Sequence, residues 1–320
     1  MARILTLGPA LQYIYLIDHD DLTATSIGSE AILGKILVGS EVEIDKIAYN
    51  VGGLGISSAV TFARHRHETI LISNTGRDVA SRAIFATLDY ENIDSSYINQ
   101  LPRDITGTSV ILLDSKTGER TILTTAGASK HCDNLEENDI NLIDPDWLYA
   151  TTLYGDFATL ERFFKKARAN KTKIAFKPGD QELADPQTLL RLLKYVDVLI
   201  LNKVSAAKLV PGTILTELIS HLSNYVKTII ITDGQMGGIA TDHEETYRFG
   251  VYEDVRIKDI TGAGEAIGAG FIAHLAAGKS FRDSLIFASA NAASVISKVG
   301  VNTGTLTGTE KLHPMPIQKI

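Results

Sequence analysis

The sequence predicts an α/β fold, a parallel sheet with helices on both faces and a small β element attached. Three observations predict it. From Asp146 onward, short apolar runs (WLYAT, KIAF, DVLIL, TIIIT) alternate with helix-length segments, as strands buried on both faces and joined by helical crossovers do. Two pairs of segments, GTSVILLD with ERTILT and GGIATD with ETYRFG, read as hairpins. Residues 258–278, KDITGAGEAIGAGFIAHLAAG, read as a tight glycine loop opening a helix.

Taken in order, RILTLG reads as a buried first strand ending at Gly8, followed by an apolar and aromatic run over 11–16. Residues 31–50 alternate for part of their length, the mark of a half-exposed sheet. Asn50-Val51-Gly52-Gly53 turns into a helix near 55–66 with Ala59, Phe62 and Ala63 on one face. TILIS (69–73) is a second buried strand, and Asn74 to Asp78 turns into a helix reaching about Glu91. The first hairpin turns at Ser115-Lys116-Thr117-Gly118. Helices near 157–170, 186–195, 203–209 and 214–224 separate the later strands, and helices over 263–277 and 281–298 close the chain. The reading is one domain, 1–320, with lid segments near 11–50 and 105–125.

The chain has 320 residues, enough for a large core, and its 44% hydrophobic and 22% charged content suits a soluble globule. A net charge of −7 without a long basic tract argues against nucleic acid. No apolar run reaches about 18 residues, so no membrane span is expected. A single cysteine, Cys132, leaves no internal disulfide and fits a reducing, cytoplasmic location. Cys132 beside His131 reads as a buried structural thiol, since sequence neighbours rarely face each other usefully. Only His65-x-His67 has metal-like spacing, and that pair reads as solvated at a helix end, so no metal site is assigned. Trp147 reads as packing.

The glycine loop carries the chemistry. Backbone N–H groups at a helix N-terminus form an anion cradle, with phosphate the usual guest. A carboxylate, Glu265, follows at once. That suits phosphoryl transfer, which needs positioning, charge stabilisation and one base. Alone the loop says little, because Gly-Ala-Gly also serves helix packing.

Its context adds a resemblance. The order of first strand, lid strands, Gly52-Gly53, Gly76-Arg77-Asp78, lid hairpin, Gly127-Ala128, Asn202, Thr232-Asp233-Gly234 and terminal glycine loop resembles, over the whole chain, the ribokinase family of PfkB-type carbohydrate kinases. The resemblance implies a ribokinase-like three-layer α/β/α fold with a mainly parallel central sheet and a small β lid. It implies ATP with Mg²⁺ as cofactors and a sugar or nucleoside as the small-molecule partner. Asn202, Thr232 and Gly234 then belong to the nucleotide site, and Gly262, Ala263 and Gly264 supply the anion hole. Relatives pair through the lid, so a homodimer is expected.

The residues for chemistry depart from the family pattern together. Glu265 stands in place of the catalytic aspartate, and Ser205 in place of the acidic member of Asn-x-x-Glu. Tyr13 replaces the sugar-binding aspartate, Leu54 and Ser57 around Ile56 replace the asparagines after Gly52-Gly53, and Lys177 replaces an Asp or Asn at a strand end. A hydroxyl-rich sugar against apolar walls is left unsatisfied, so the pocket reads as emptied of its original purpose, by divergence or by design. A lysine in an apolar pocket loses its charge to desolvation and becomes a Schiff-base nucleophile. Retro-aldol chemistry at Lys177, with Tyr13, Tyr154 and Glu265 nearby, is therefore one expectation. Against it stands the pairing of Lys177 with Asp180 or Glu265, or with a phosphate. Three uses remain open: a working kinase with Glu265 as base, an amine enzyme, and a non-catalytic binder of a nucleotide or small apolar ligand.

Overall fold

The computed structural model describes residues 1–18, 25–27, 31–33, 39, 41–114 and 117–320, with the backbone alone at 25–27 and 31–33. Ser115 and Lys116 of the expected turn, His19, and 34–38 of the alternating stretch lie outside the described residues.

The first half of the chain contains β1 (Arg3–Leu7), β2 (Leu11–Ile17), β3 (Thr25–Ile27), β4 (Ala31–Leu33), β5 (Lys46–Gly52), α1 (Leu54–Arg64), β6 (Glu68–Gly76), α2 (Val79–Tyr90), β7 (Ile98–Leu101), β8 (Thr106–Leu113), β9 (Arg120–Gly127), α3 (Asp139–Ile143) and β10 (Trp147–Ala150). The second half contains α4 (Phe157–Ala169), β11 (Lys173–Phe176), α5 (Asp180–Leu183), α6 (Pro186–Leu192), β12 (Val198–Asn202), α7 (Lys203–Leu209), α8 (Leu215–Leu222), β13 (Thr228–Thr232), β14 (Gly238–Thr241), β15 (Thr246–Phe249), α9 (Ala263–Ala276), α10 (Phe281–Ile296) and β16 (Ile317–Lys319).

A ten-stranded sheet runs β16-β15-β14-β13-β12-β11-β10-β1-β6-β7, parallel from β7 to β13 and antiparallel beyond. Successive residues of its strands point to opposite faces. Leu148, Phe176, Leu199 and Ile229 pack under α4, α6, α7 and α8, while Tyr149, Ala175, Ile200 and Ile230 pack under α1, α9 and α10. This two-sided burial explains the unbroken apolar runs in the sequence.

The lid is a separate four-stranded sheet, β5-β2-β8-β9, in which β2 and β8 pair in parallel. Asp78 fastens it to the main body. Its carboxylate caps α2 by accepting from Ser81 N (2.9 Å) and also accepts from Thr106 N and Oγ1 (both 2.7 Å). Burial opposes the charge, but those bonds hold the Asp78 carboxyl below its ordinary range. Gly76 lets the backbones meet, since a Cβ there would lie 2.4 Å from Asp104 O.

Two histidines overturn the expectation of a solvated pair. His67 is buried, its Nδ1 accepting from Ala2 N (3.2 Å) and its Nε2 2.9 Å from Ala273 O. His65 packs edge-on against Phe287 with ring centres 4.5 Å apart. The reason is that α9 and α10 cover the end of α1, which the local sequence does not reveal. Cys132 is 2% exposed, and burial pushes its thiol up to about 12. The neighbouring His131 imidazole turns instead to Asp104, 3.2 Å away.

Candidate active-site cleft

A cavity of about 470 Å³ opens between the carboxyl ends of β10–β13, the start of α9 and the lid, where open parallel sheets bind ligands. Its centre is an ion pair. Gly262, left-handed at φ 88°, turns the chain into α9 and leaves Glu265 in the first turn. Lys177 follows β11, its backbone N donating to Ala150 O at 3.0 Å. Its arm crosses Gly264, where an added Cβ would sit 3.7 Å from Cε. The ammonium then donates to Glu265 Oε1 at 2.8 Å, with the two side chains 18% and 21% exposed. Burial alone would raise the Glu265 carboxyl. The charge and hydrogen bond of Lys177, a backbone N–H and the charge of Arg120 outweigh it and hold the carboxyl below its ordinary range.

This pairing bears on the amine expectation. A carbonyl is attacked by the lone pair of a neutral amine, and an ammonium donating to a carboxylate has none to offer. The apolar isolation assumed for Lys177 is absent because Glu265, distant in sequence, reaches it.

At the end bordered by β12 and β13, Asn202 caps α7 by accepting from Ser205 N at 2.7 Å, and Asn202, Ser205, Thr232 and Gly264 all line the cleft. Gly234 (φ 55°) starts a single turn with open space around it and is not part of the cavity wall. Ala263 is the first residue of α9. Two nearby carboxylates each stand in an ion pair: Asp233 meets Lys203 and Asp180 meets Lys208, each at 3.1 Å. Among the described residues no cluster of three His, Cys, Asp or Glu could hold a metal. At these positions the site therefore offers Mg²⁺ no carboxylate free of an ion pair.

At the other end, Tyr13 and Leu54 line the cavity with Tyr154, a left-handed residue at φ 55°. Burial, then the Glu265 charge, pushes the Tyr13 hydroxyl up to about 12, and burial also raises Tyr154. Both phenols stay neutral. Ile56 and Ser57 do not reach the cavity. Ile56 is fully buried among Ala59, Ile84 and Leu88, because it lies around the helix from Leu54, and Ser57 is 6% exposed within α1.

Several wall residues were not foreseen: Ser109, Ile122 and Thr124 of the lid, Thr152, and Gln181. Behind them sits Glu182, fully buried. Its Oε1 accepts from Thr152 Oγ1 (3.0 Å), Leu153 N (3.0 Å) and Gly155 N (2.8 Å), and its Oε2 from Gly179 N (2.8 Å). It staples together the two loops that present Tyr154 and Lys177. Arg120 of β9 reaches the glycine loop, its Nε donating to Thr261 Oγ1 at 3.1 Å. The signal for the lid residues was the hairpin pattern alone, which does not say which face lines the cleft. Glu182 carried none.

Comparison with known proteins agrees with this architecture. The pfkB family carbohydrate kinase model matches residues 25–307. A ribokinase of Haemophilus influenzae is 25% identical over 288 residues, covering 88% of this chain and 90% of that protein. A nucleoside kinase of Methanocaldococcus jannaschii is 22% identical over 84% of this chain and 86% of its own length. Among solved structures, adenosine kinase from Sinorhizobium meliloti superposes with a TM-score of 0.80 at 18% identity, covering 96% of this chain and 98% of the other. Arabidopsis thaliana ribokinase complexed with ribose and ATP gives 0.78 at 18% identity, covering 95% and 96%.

Proposed function

Since the chain belongs to the pfkB family of carbohydrate kinases, we propose that it keeps a nucleotide-binding cleft in which phosphoryl transfer to a sugar hydroxyl is impaired. The observation that carries this is the 2.8 Å ion pair between Lys177 and Glu265. A base must accept the proton of the incoming hydroxyl. Glu265 already accepts from an ammonium, and a carboxyl held below its ordinary range is the weaker base. Bound ATP would supply the phosphoryl group, with Mg²⁺ neutralising its phosphates. Asn202, Thr232 and the backbone at Gly264 would hold the nucleotide, while Ser205 contributes no charge toward the metal.

The test is ADP release by the purified protein with ATP, Mg²⁺ and a panel of sugars and nucleosides, alongside ATP titration calorimetry. The expected result is ATP binding with turnover at background, and a gain of tenfold or more in the double variant Lys177→Asn, Glu265→Asp. Turnover by the unaltered protein at the roughly 1–100 s⁻¹ usual for kinases overturns the proposal.

Schiff-base chemistry is the weaker use of the same residues. Borohydride trapping with an aldehyde is expected to give no adduct that depends on Lys177.

The reading extends to a homodimer through the lid. Ile47 (51% exposed), Tyr49 (70%) and Leu123 (58%) stand on its outer surface, as the strand register places them. It extends also to a reducing cytoplasm, which suits the unpaired Cys132. No helix among the described residues is long and apolar enough to cross a membrane.

A further inference from the structure

The end of the cleft under the lid, where a hydroxyl substrate would lie on the reading above, has few polar side chains. What matters is how they are already used. Ser109 of β8 and Thr124 of β9 are directly opposite in the hairpin register, and their hydroxyls bond each other at 2.8 Å. The Thr152 hydroxyl donates to the buried Glu182 (3.0 Å) and accepts from Tyr154 N (3.0 Å). Lys177 is committed to Glu265. Asp180 and Gln181 stand exposed at the mouth, and Asp180 meets Lys208. The remaining wall here is Leu11, Tyr13, Leu54, Ile122 and Tyr154.

A polyol entering this end gives up water and finds Ser109, Thr124, Thr152 and Lys177 already bonded within the protein, which leaves the two phenol hydroxyls and Gln181 at the mouth to meet several hydroxyls. Each unsatisfied hydroxyl weakens binding by about fivefold to a hundredfold, and a sugar brings several. A ring with an apolar face loses nothing of that kind and gains contact with two phenols and three aliphatic side chains. The cavity, about 470 Å³ for both ends together, has small-molecule size. We propose that this end of the cleft binds a flat, uncharged aromatic or alicyclic ring carrying at most one hydrogen-bonding group, packed against Tyr13 and Tyr154. The proposal rests on the reading of the cleft as a ligand site but not on its catalytic state.

The experiment is saturation-transfer NMR on the full chain without nucleotide. The probes are benzyl alcohol, phenol and indole, with ribose and fructose for comparison. The expected result is transfer to the ring probes, none to the sugars, and a loss of at least fivefold in ring affinity in Tyr154→Ala. Ile122→Asn, at a lid position already 41% exposed, gives the same loss and serves where Tyr154→Ala does not fold. Sugars binding as well as rings, ring binding unchanged in the folded variants, or no ring binding at all overturns the proposal. Because no ATP is present, the outcome is separate from the turnover assay. Sugar phosphorylation sinks the impaired-kinase reading whatever the rings do, and absent ring binding sinks this one whatever ATP does.

Discussion

Helix α9 carries a carboxylate in its first turn and an imidazole in its last, and the two ends are handled in opposite ways. Burial opposes the charge of both. At Glu265, Lys177 reverses that tendency and the group is held charged. At His274, burial is joined by the charges of Lys279 and His67, Asp283 opposes them without prevailing, and the imidazole falls to about 4. His274 instead stacks on Phe287, ring centres 4.0 Å apart, and meets His65 edge-on at 5.4 Å. His65 falls to about 4 as well, through burial and then its histidine neighbours, with Glu310 pulling the other way. The helix dipole would favour charge at either end. The difference teaches that the neighbour decides whether a buried group keeps its charge, and that only the end bordering the cleft received one.

Acid breaks this comparison most strongly. The folded imidazoles near 4 lie below the ordinary 6.5, so the unfolded chain binds protons first as pH falls. Stability is full above pH 6.5 and declines between 6.5 and about 4, by about 1.4 kcal/mol per pH unit for each group. Urea titrations across that window are expected to show the decline, and His274→Phe to make it shallower, the His65 share remaining. Next in size is Lys177→Met, which leaves Glu265 without its cation. Since the pair is about a fifth exposed, the loss is about 1–3 kcal/mol rather than the full buried-pair figure. The pH dependence changes sign too. With Lys177, the contribution of Glu265 is present above the ordinary 4.5 and lost below it. Without Lys177, burial raises the carboxyl, and stability falls as pH rises from 4.5. Adding Glu265→Gln is expected to restore most of the loss. Smallest is Gly262→Ala, which forces a side chain into the left-handed turn at a cost of about 1–2 kcal/mol, read as a lower Tm together with weaker ATP binding.

The layers of the fold were legible because β10 to β13 are apolar on both faces and β10, β11 and β12 are each followed by a helix. β7 (INQL) and β16 (IQK) were not, since short edge strands with polar residues look like loops. In the site, one backbone feature was readable: the glycines at 262 and 264 mark a tight turn into a helix, which is what the left-handed Gly262 makes. Side-chain partnerships were less so. The Lys177–Glu265 pair could be named as one alternative among several, but only the return of α9 beside β11 selects it. Most of β9 is exposed or polar, so nothing marked Ile122 and Thr124 as facing inward. Nothing in the sequence singled out Glu182, because three of its four donors, the Thr152 hydroxyl and the Leu153 and Gly155 N–H groups, come from a distant loop.

The placement of β1 between β6 and β10 has a consequence for synthesis of the chain. One edge of β1 is covered once β6 has emerged, but the other waits for Trp147–Ala150. The lid is delayed in the same way, since β2 needs β8, which begins at Thr106. The chain must therefore be made from Arg3 through Ala150 before β1 is shielded on both sides. Long-range parallel pairing of this kind is slow and leaves strand edges open to other chains. Pulse-labelling of ribosome-bound chains of two lengths, one that keeps Trp147–Ala150 inside the ribosome and one that lets it emerge, is expected to place the onset of protection in β1 between them.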